Sequence, residues 1–204
     1  MFGRILLGLL LLIVALFVAA QLFLPGRAAS DVEARLTEGG GSAEVEIEAL
    51  PAARLLFDDG DRIEVRGADL VLDVENDIHV LDRLDGFDQV DVSLERVEAG
   101  PFEVSSFELR RAGEGAYTLT SEATTSAAEL LEFGGESLGP IAGPIAGFLS
   151  GQAPEEANEP FTAELEAQLV SNDGQIEIVG GGTVEGYPIG PLAEIITAAV
   201  VSRL

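Results

Sequence analysis

ILLGLLLLIVALFVAAQLFL, residues Ile5–Leu24, carries no charge across its whole length, and only Gly8 and Gln21 interrupt an apolar run. A helix rises about 1.5 Å per residue, so this stretch matches the ~30 Å hydrocarbon thickness of a bilayer. Few soluble domains begin on such a segment. The rest of the chain is therefore read as a domain held at a membrane or exported across one.

Two outcomes for the segment are open. As a signal peptide it has a basic start, at the amino terminus and Arg4, and small residues, Val18 and Ala20, at positions suited to cleavage. As an anchor it has an apolar core longer than the ~7–15 residues of a signal peptide, and that core continues through Leu22, Phe23 and Leu24. The length favours a retained single-pass anchor. The basic residues before the run outweigh Arg27, whose charge Asp31 and Glu33 offset, so the bulk of the chain is expected outside the cytoplasmic membrane. Cleavage would instead give a secreted protein. The expected division is an anchor or signal segment over residues 1–27 and an extracytoplasmic α+β domain over 28–204.

The chain has 11 basic residues, all arginine, against 36 acidic ones, for a formal net charge of −25. Such a balance excludes a nucleic-acid footprint, which needs a basic stripe to neutralise phosphates. It also disfavours electrostatic docking on anionic lipid. There is no cysteine, so disulfides, thiolate catalysis and zinc-finger chemistry are excluded. The single histidine, His79, stands alone, and no nucleophile-elbow, P-loop or zincin motif occurs. The expectation is a non-enzymatic protein with neither cofactor nor metal.

Pro25-Gly26 reads as the end of the anchor, and Ser30-Asp31-Val32-Glu33 as a capping box opening a short helix over Asp31–Glu38. Ala43, Val45, Ile47 and Ala49 alternate with Glu44, Glu46 and Glu48, the period of a half-buried strand. Ile63 and Val65 begin another strand, but beyond Gly67 the apolar set moves to even positions, which predicts a bulge at Gly67. Asp61–Val65 is echoed at Asp88–Val92, 27 residues on. Val90, Val92 and Leu94 form a strand; Phe102, Val104, Phe107 and Leu109 form the next, with a phase slip at Ser105-Ser106. Tyr117 and Leu119 lie on a further strand, and Ser126-Ala127-Ala128-Glu129 is a second capping box. Phe161–Leu169, the turn Ser171–Gly174, and Ile176 and Ile178 make a hairpin. Gly190-Pro191 opens a terminal apolar helix carrying Leu192, Ile195, Ile196, Ala199, Val200 and Leu204.

Ser137–Ala153 is uncharged in an otherwise acidic chain, and it repeats Gly-Pro-Ile-Ala at Gly139 and Gly143. Its large side chains, Leu138, Ile141, Ile145, Phe148 and Leu149, are the candidate lipid-contacting residues. A helix packed closely on the sheet accounts for the same residues.

The fold expected is α+β: an N-terminal transmembrane helix, then a curved antiparallel β-sheet wrapped around two or three apolar helices. The anchor, the run Leu50–Leu56, the run Asp61–Leu70, and Leu84–Val92 followed by Ala123–Ser126 ahead of Glu129-Leu130 together resemble the LmeA-like phospholipid-binding family, chiefly actinobacterial envelope proteins. The resemblance covers most of residues 1 to 133 and implies phospholipid binding in the cell envelope, with no catalytic residues. The partners expected are a phospholipid or other acyl-chain lipid and the membrane, with no nucleic acid. An anchored structural or scaffold domain with a solid core and no ligand is the alternative. If Ile5–Leu24 is retained, amino-terminal sequencing of the membrane fraction begins at or near Met1; a start at Gln21 would establish cleavage.

Overall fold

The protein is seen in a computed structural model, which describes residues 2–73, 80–113, 115–126, 128–130, 159–181, 183–184, 187–188 and 190–204. The apolar run belongs to helix α1, Phe2–Leu36, which is about 52 Å long at 1.5 Å per residue. It is long and apolar enough to cross a membrane, and none of its most apolar window is buried in the protein.

Two local expectations are corrected here. Pro25 does not end the helix, and no separate helix begins at Ser30. Proline costs the carbonyl of Gln21 its amide partner. That loss is outweighed by packing further along, where Ala29, Val32 and Leu36 are buried in the domain core. Glu33 does not cap a helix start either. Its Oε1 accepts the N–H of Val45 at 3.0 Å, an amide on the first strand of the sheet, which would otherwise face outward unpaired.

The strands are β1 (Ser42–Glu48), β2 (Gly60–Ala68), β3 (Val71–Leu72), β4 (Phe87–Ala99), β5 (Phe102–Ala112), β6 (Tyr117–Ser126), β7 (Pro160–Asn172) and β8 (Gln175–Gly181). They form one eight-stranded sheet in the order β1-β2-β4-β5-β6-β7-β8, with β3 also on β4. β2 and β3 run parallel to β4; every other pair is antiparallel. Short strands β9 (Thr183–Val184) and β10 (Tyr187–Pro188) pair separately. Helical elements are the 3₁₀ helix Ala52–Phe57, the single turn α2 (Asp82–Asp85) and α3 (Gly190–Val201). Side chains of α1, α3 and one sheet face share a single core, including Leu36, Val65, Leu94, Phe107, Leu165, Ile196 and Val200. The α+β class and the largely antiparallel sheet behind an apolar helix thus stand as expected.

The 27-residue echo is the register of the parallel pair. Ile63 lies opposite Val90, Val65 opposite Val92, and Val71 opposite Glu98. The phase switch after Val65 occurs at Asp69, two residues past the expected Gly67, and Asp69 has φ 58°. Its partner position in β4, Arg96, has φ 52°. Both strands therefore spend one residue at the same level. The ladder resumes on either side: Asp69 N–H donates to the Glu95 carbonyl at 3.0 Å, and Glu98 N–H to the Leu70 carbonyl at 2.8 Å. Arg96 grips Asp69 with two hydrogen bonds, Nε to Oδ1 at 2.7 Å and Nη2 to Oδ2 at 3.0 Å. Gly67 has a different use: a Cβ there would come within 2.9 Å of Leu70 Cδ1 and Leu94 Cδ2, which close over it.

The same level continues into β5. Ser105 follows as the extra residue expected from the phase slip, and the β5–β6 register shifts between Val104 and Ser106. β6 carries no extra residue, so the defect ends there, and the buried Ser121 hydroxyl donates to the Ser106 carbonyl at 2.9 Å. Three adjacent strands thus share one line of irregularity, where a sheet bends and twists most.

The second capping box forms as read. Ser126 N–H and Oγ both donate to Glu129 Oε2 at 2.8 Å, and Glu129 N–H donates to Ser126 Oγ at 3.2 Å. The Asp173-Gly174 pair, both with positive φ, makes a two-residue hairpin turn between β7 and β8. This turn is tied to α2 through a polar cluster. Arg111, only 8% exposed, pairs with Asp85 at 3.1 Å and donates to the carbonyls of Leu84 and Asp85 at 2.9 and 3.1 Å, and to that of Phe87. Asp85 also accepts from the Tyr117 hydroxyl at 2.9 Å and from Ser171. The Arg111 guanidinium stands 4.5 Å from the Tyr117 ring centroid, and burial pushes the Tyr117 phenol well above its usual pKa. Arg111→Ala leaves Asp85 and three carbonyls short of donors and is expected to cost about 3–5 kcal/mol. Tyr117→Phe removes one donor and is expected to cost about 1–3 kcal/mol. Chemical denaturation of the detergent-solubilised chain checks the order.

Candidate functional site

Just past the apolar run, α1 lies against the sheet with a cleft of about 350 Å³ between them. Its floor is apolar: Val32, Ile47, Leu55, Ile63, Leu84 and Phe87. Strand alternation supplies Ile47 and Ile63 from cross-strand positions on β1 and β2, which face each other in register. The helix supplies Val32 one turn after Ala28. Around the floor stand two carboxylates, Asp31 and Asp58, and two guanidinium groups, Arg35 and Arg83.

The two arginines set this cleft apart. Arg27, Arg54, Arg62, Arg66, Arg96, Arg110, Arg111 and Arg203 each have a carboxylate within 4 Å. Among the described residues, Arg35 and Arg83 form no ion pair, and both line the same cleft. Arg35 donates from Nη2 to the Leu204 carbonyl at 2.8 Å, while its buried Nε has no partner among the described residues. Burial, and after it the field of Arg83, lower the Arg35 pKa from its usual value; Asp31 and Asp58 pull the other way. Two guanidinium groups on one cleft can donate charge-assisted hydrogen bonds to an anion, and Asp31 and Asp58 on the same cleft offset their charge.

Sequence reasoning did not find this pair. Asp31 and Arg35 have the i,i+4 spacing of a helix ion pair, yet Asp31 faces Arg27 instead, at 3.6 Å. Arg83 sits between Asp82 and Asp85 in the chain, but Asp85 is committed to Arg111, Tyr117 and Ser171. Neighbours in sequence therefore hide both free charges. The candidate lipid-contacting residues Leu138, Ile141, Ile145, Phe148 and Leu149 lie outside the described residues, as does His79. On α3, Ile196 and Val200 are buried as expected; the helix ends at Val201, short of the expected Leu204, which is buried beyond it and reaches the cleft.

A second cleft, of about 390 Å³, runs along the line of irregular residues on the sheet, lined by Asp69, Arg96, Glu103, Ser105 and Thr124 among others. Its one arginine is already engaged by Asp69 and Glu95. Its remaining charges are carboxylates, so it offers no comparable place for an anion. Comparison with known proteins finds no matching family model, curated protein or solved structure.

Because Arg83 lines the cleft with Arg35 and forms no ion pair among the described residues, Arg83→Gln is expected to leave the unliganded protein as stable as before, or up to about 1 kcal/mol more stable. Thermal melts in detergent, with no lipid added, read this directly.

Proposed function

We propose that this protein is a membrane-anchored, non-enzymatic lipid-binding protein that receives a phospholipid head in the cleft beside α1. The observation that carries the reading is the Arg35–Arg83 couple, neither member paired with a side-chain carboxylate among the described residues, above an apolar floor that begins at Ala28, about one helical turn beyond the apolar run, with Arg35 about three turns beyond it. The guanidinium groups meet the phosphate, where each charge-assisted hydrogen bond is worth about 1.5–3 kcal/mol. The floor takes the first methylenes of the acyl region, at ~0.8 kcal/mol for each one buried. The cleft is at the small end of ligand sites, which run from roughly 300 to 1,000 Å³, so it suits a head and the beginning of a chain. The remainder of the lipid stays in the bilayer.

In this reading α1 remains uncleaved, and the domain faces the envelope side of the cytoplasmic membrane, as the charge asymmetry around the apolar run implies. Membership of the LmeA-like phospholipid-binding family belongs to the same proposal. It rests on the runs Leu50–Leu56, Asp61–Leu70 and Leu84–Val92. The last two are the strands and the α2 turn that border the cleft.

The rival reading, an anchored scaffold, draws support from the sheet's inner face, where Val65, Val92, Phe107, Leu109 and Leu119 are fully buried and filled against one another. The two readings separate in one experiment. Lipids retained by the purified chain are identified by mass spectrometry, for the native protein and for the Arg35→Ser/Arg83→Ser variant. Loss of two charge-assisted contacts predicts a fall of at least about tenfold in retained phospholipid, with the fold intact by circular dichroism. Equal retention by the two proteins overturns the cleft as the binding site, and no lipid in either favours the scaffold.

A further inference from the structure

The domain touches α1 before the apolar run has ended. Gln21, the one amide in that run's second half, donates from Nε2 to the Ala49 carbonyl at 2.7 Å and accepts from the Ala52 N–H at 2.8 Å through Oε1. Gln21 lies six residues before Arg27, the first charge after the run, which is about 9 Å along the helix axis. The segment clasped by Gln21 therefore sits at the depth of the anchor's last apolar turn.

That segment is also where the domain exposes its large apolar side chains. Leu50 is 69% exposed, Leu56 68% and Phe57 83%. Beyond α1, the only other exposed large apolar residues among those described are Val71 and Val179. The one charge between Leu50 and Phe57 is Arg54, and it is turned onto Asp59, with hydrogen bonds of 3.0 and 2.7 Å, and onto Asp61. Asp61 in turn accepts the Leu50 N–H at 2.7 Å, so the segment is held from both sides. On the neighbouring helix Leu22 and Phe23 are also exposed, 73% and 74%.

We infer that Leu50–Phe57 is a second membrane contact: a rim whose Leu50, Leu56 and Phe57 enter the boundary between headgroups and acyl chains beside the anchor. The partner is the bilayer itself, reached through apolar contact without charge, as suits so acidic a chain. The rim also supplies Leu55 to the cleft floor. Embedding it brings the near end of the cleft, at Ala28 on α1, toward the headgroups. This inference rests on α1 being a retained anchor but not on lipid occupying the cleft.

The chain has no tryptophan, so single-tryptophan variants report their own depth. Phe57→Trp, Leu12→Trp and Val71→Trp are placed in the full chain and reconstituted into phosphatidylcholine vesicles carrying bromine at defined acyl positions. Val71 lies next to Gly39, beyond the far end of α1, and marks water. The expected result is blue-shifted Phe57→Trp emission quenched most by bromines near the headgroup, Leu12→Trp quenched most by deep bromines, and Val71→Trp unquenched. Phe57→Trp emission as red and as unquenched as Val71→Trp, with Leu12→Trp still quenched, overturns the rim while leaving the anchor standing. An unquenched Leu12→Trp overturns both. Adding Gln21→Ala to Phe57→Trp orphans the Ala49 and Ala52 backbone groups and is expected to reduce the quenching; undiminished quenching would show that Gln21 does not set the rim's depth.

Discussion

The burial of Ala29, Val32 and Leu36 is the constraint on which the remaining geometry depends. Those three side chains commit the last turns of α1 to the domain core, and the same helix supplies the apolar run at its other end. Had the chain broken at Pro25, the domain would hang on a linker and could take any attitude to a membrane. A continuous helix removes that freedom. It costs one backbone hydrogen bond at Gln21, and the packing of three core residues, each worth on the order of 1–3 kcal/mol, outweighs the loss. The edge of the sheet is closed by the same element, because Glu33 reaches the outward amide of Val45.

Much of the sheet was legible because it is a period-2 problem. Glu44, Glu46 and Glu48 against Val45 and Ile47, or Ala163, Leu165 and Ala167 against Thr162, Glu164 and Glu166, admit one face inward. The slip at Ser105 was legible for the same reason: a switch of parity has few structural solutions. Its counterpart in β2 was placed at Gly67, because glycine is the usual residue for such a site, yet the chain turns at Asp69. The difference lies in a long-range partner. Asp69 tolerates its left-handed conformation opposite Arg96, which matches it in both conformation and charge. A reading confined to one strand could not have seen that match, although the 27-residue echo between the two strands already held the register.

The cleft was not legible, and the reason is electrostatic. In a chain with about three acidic residues for every basic one, Arg35 and Arg83 both have carboxylates near them in sequence, so neither stands out. Which carboxylates remain free is decided by the fold. Asp85 is drawn into a buried cluster with Arg111 and Tyr117, and Asp31 turns toward Arg27. Among the described residues, Arg35 and Arg83 are left without a side-chain carboxylate partner by these commitments, and both line one cleft, α1 supplying the first and α2 the second. The signal is thus a difference between all the charges and those already paired.

In the proposed function, an acidic surface and a phosphate-binding cleft are compatible because the helix is a tether. A free domain with this net charge would be repelled from anionic headgroups during its approach, and encounter would limit binding. In that reading a domain held by α1 never makes that approach, since the tether keeps its cleft near the surface at high effective concentration. Long-range repulsion from the carboxylates fades beyond about 8 Å at physiological salt. Within the cleft, the guanidinium groups act at contact distance, where an apolar floor strengthens a charge-assisted hydrogen bond. The charges that keep the outer faces soluble and the two guanidinium groups on the cleft therefore act over different distances, and the helix separates the one problem from the other.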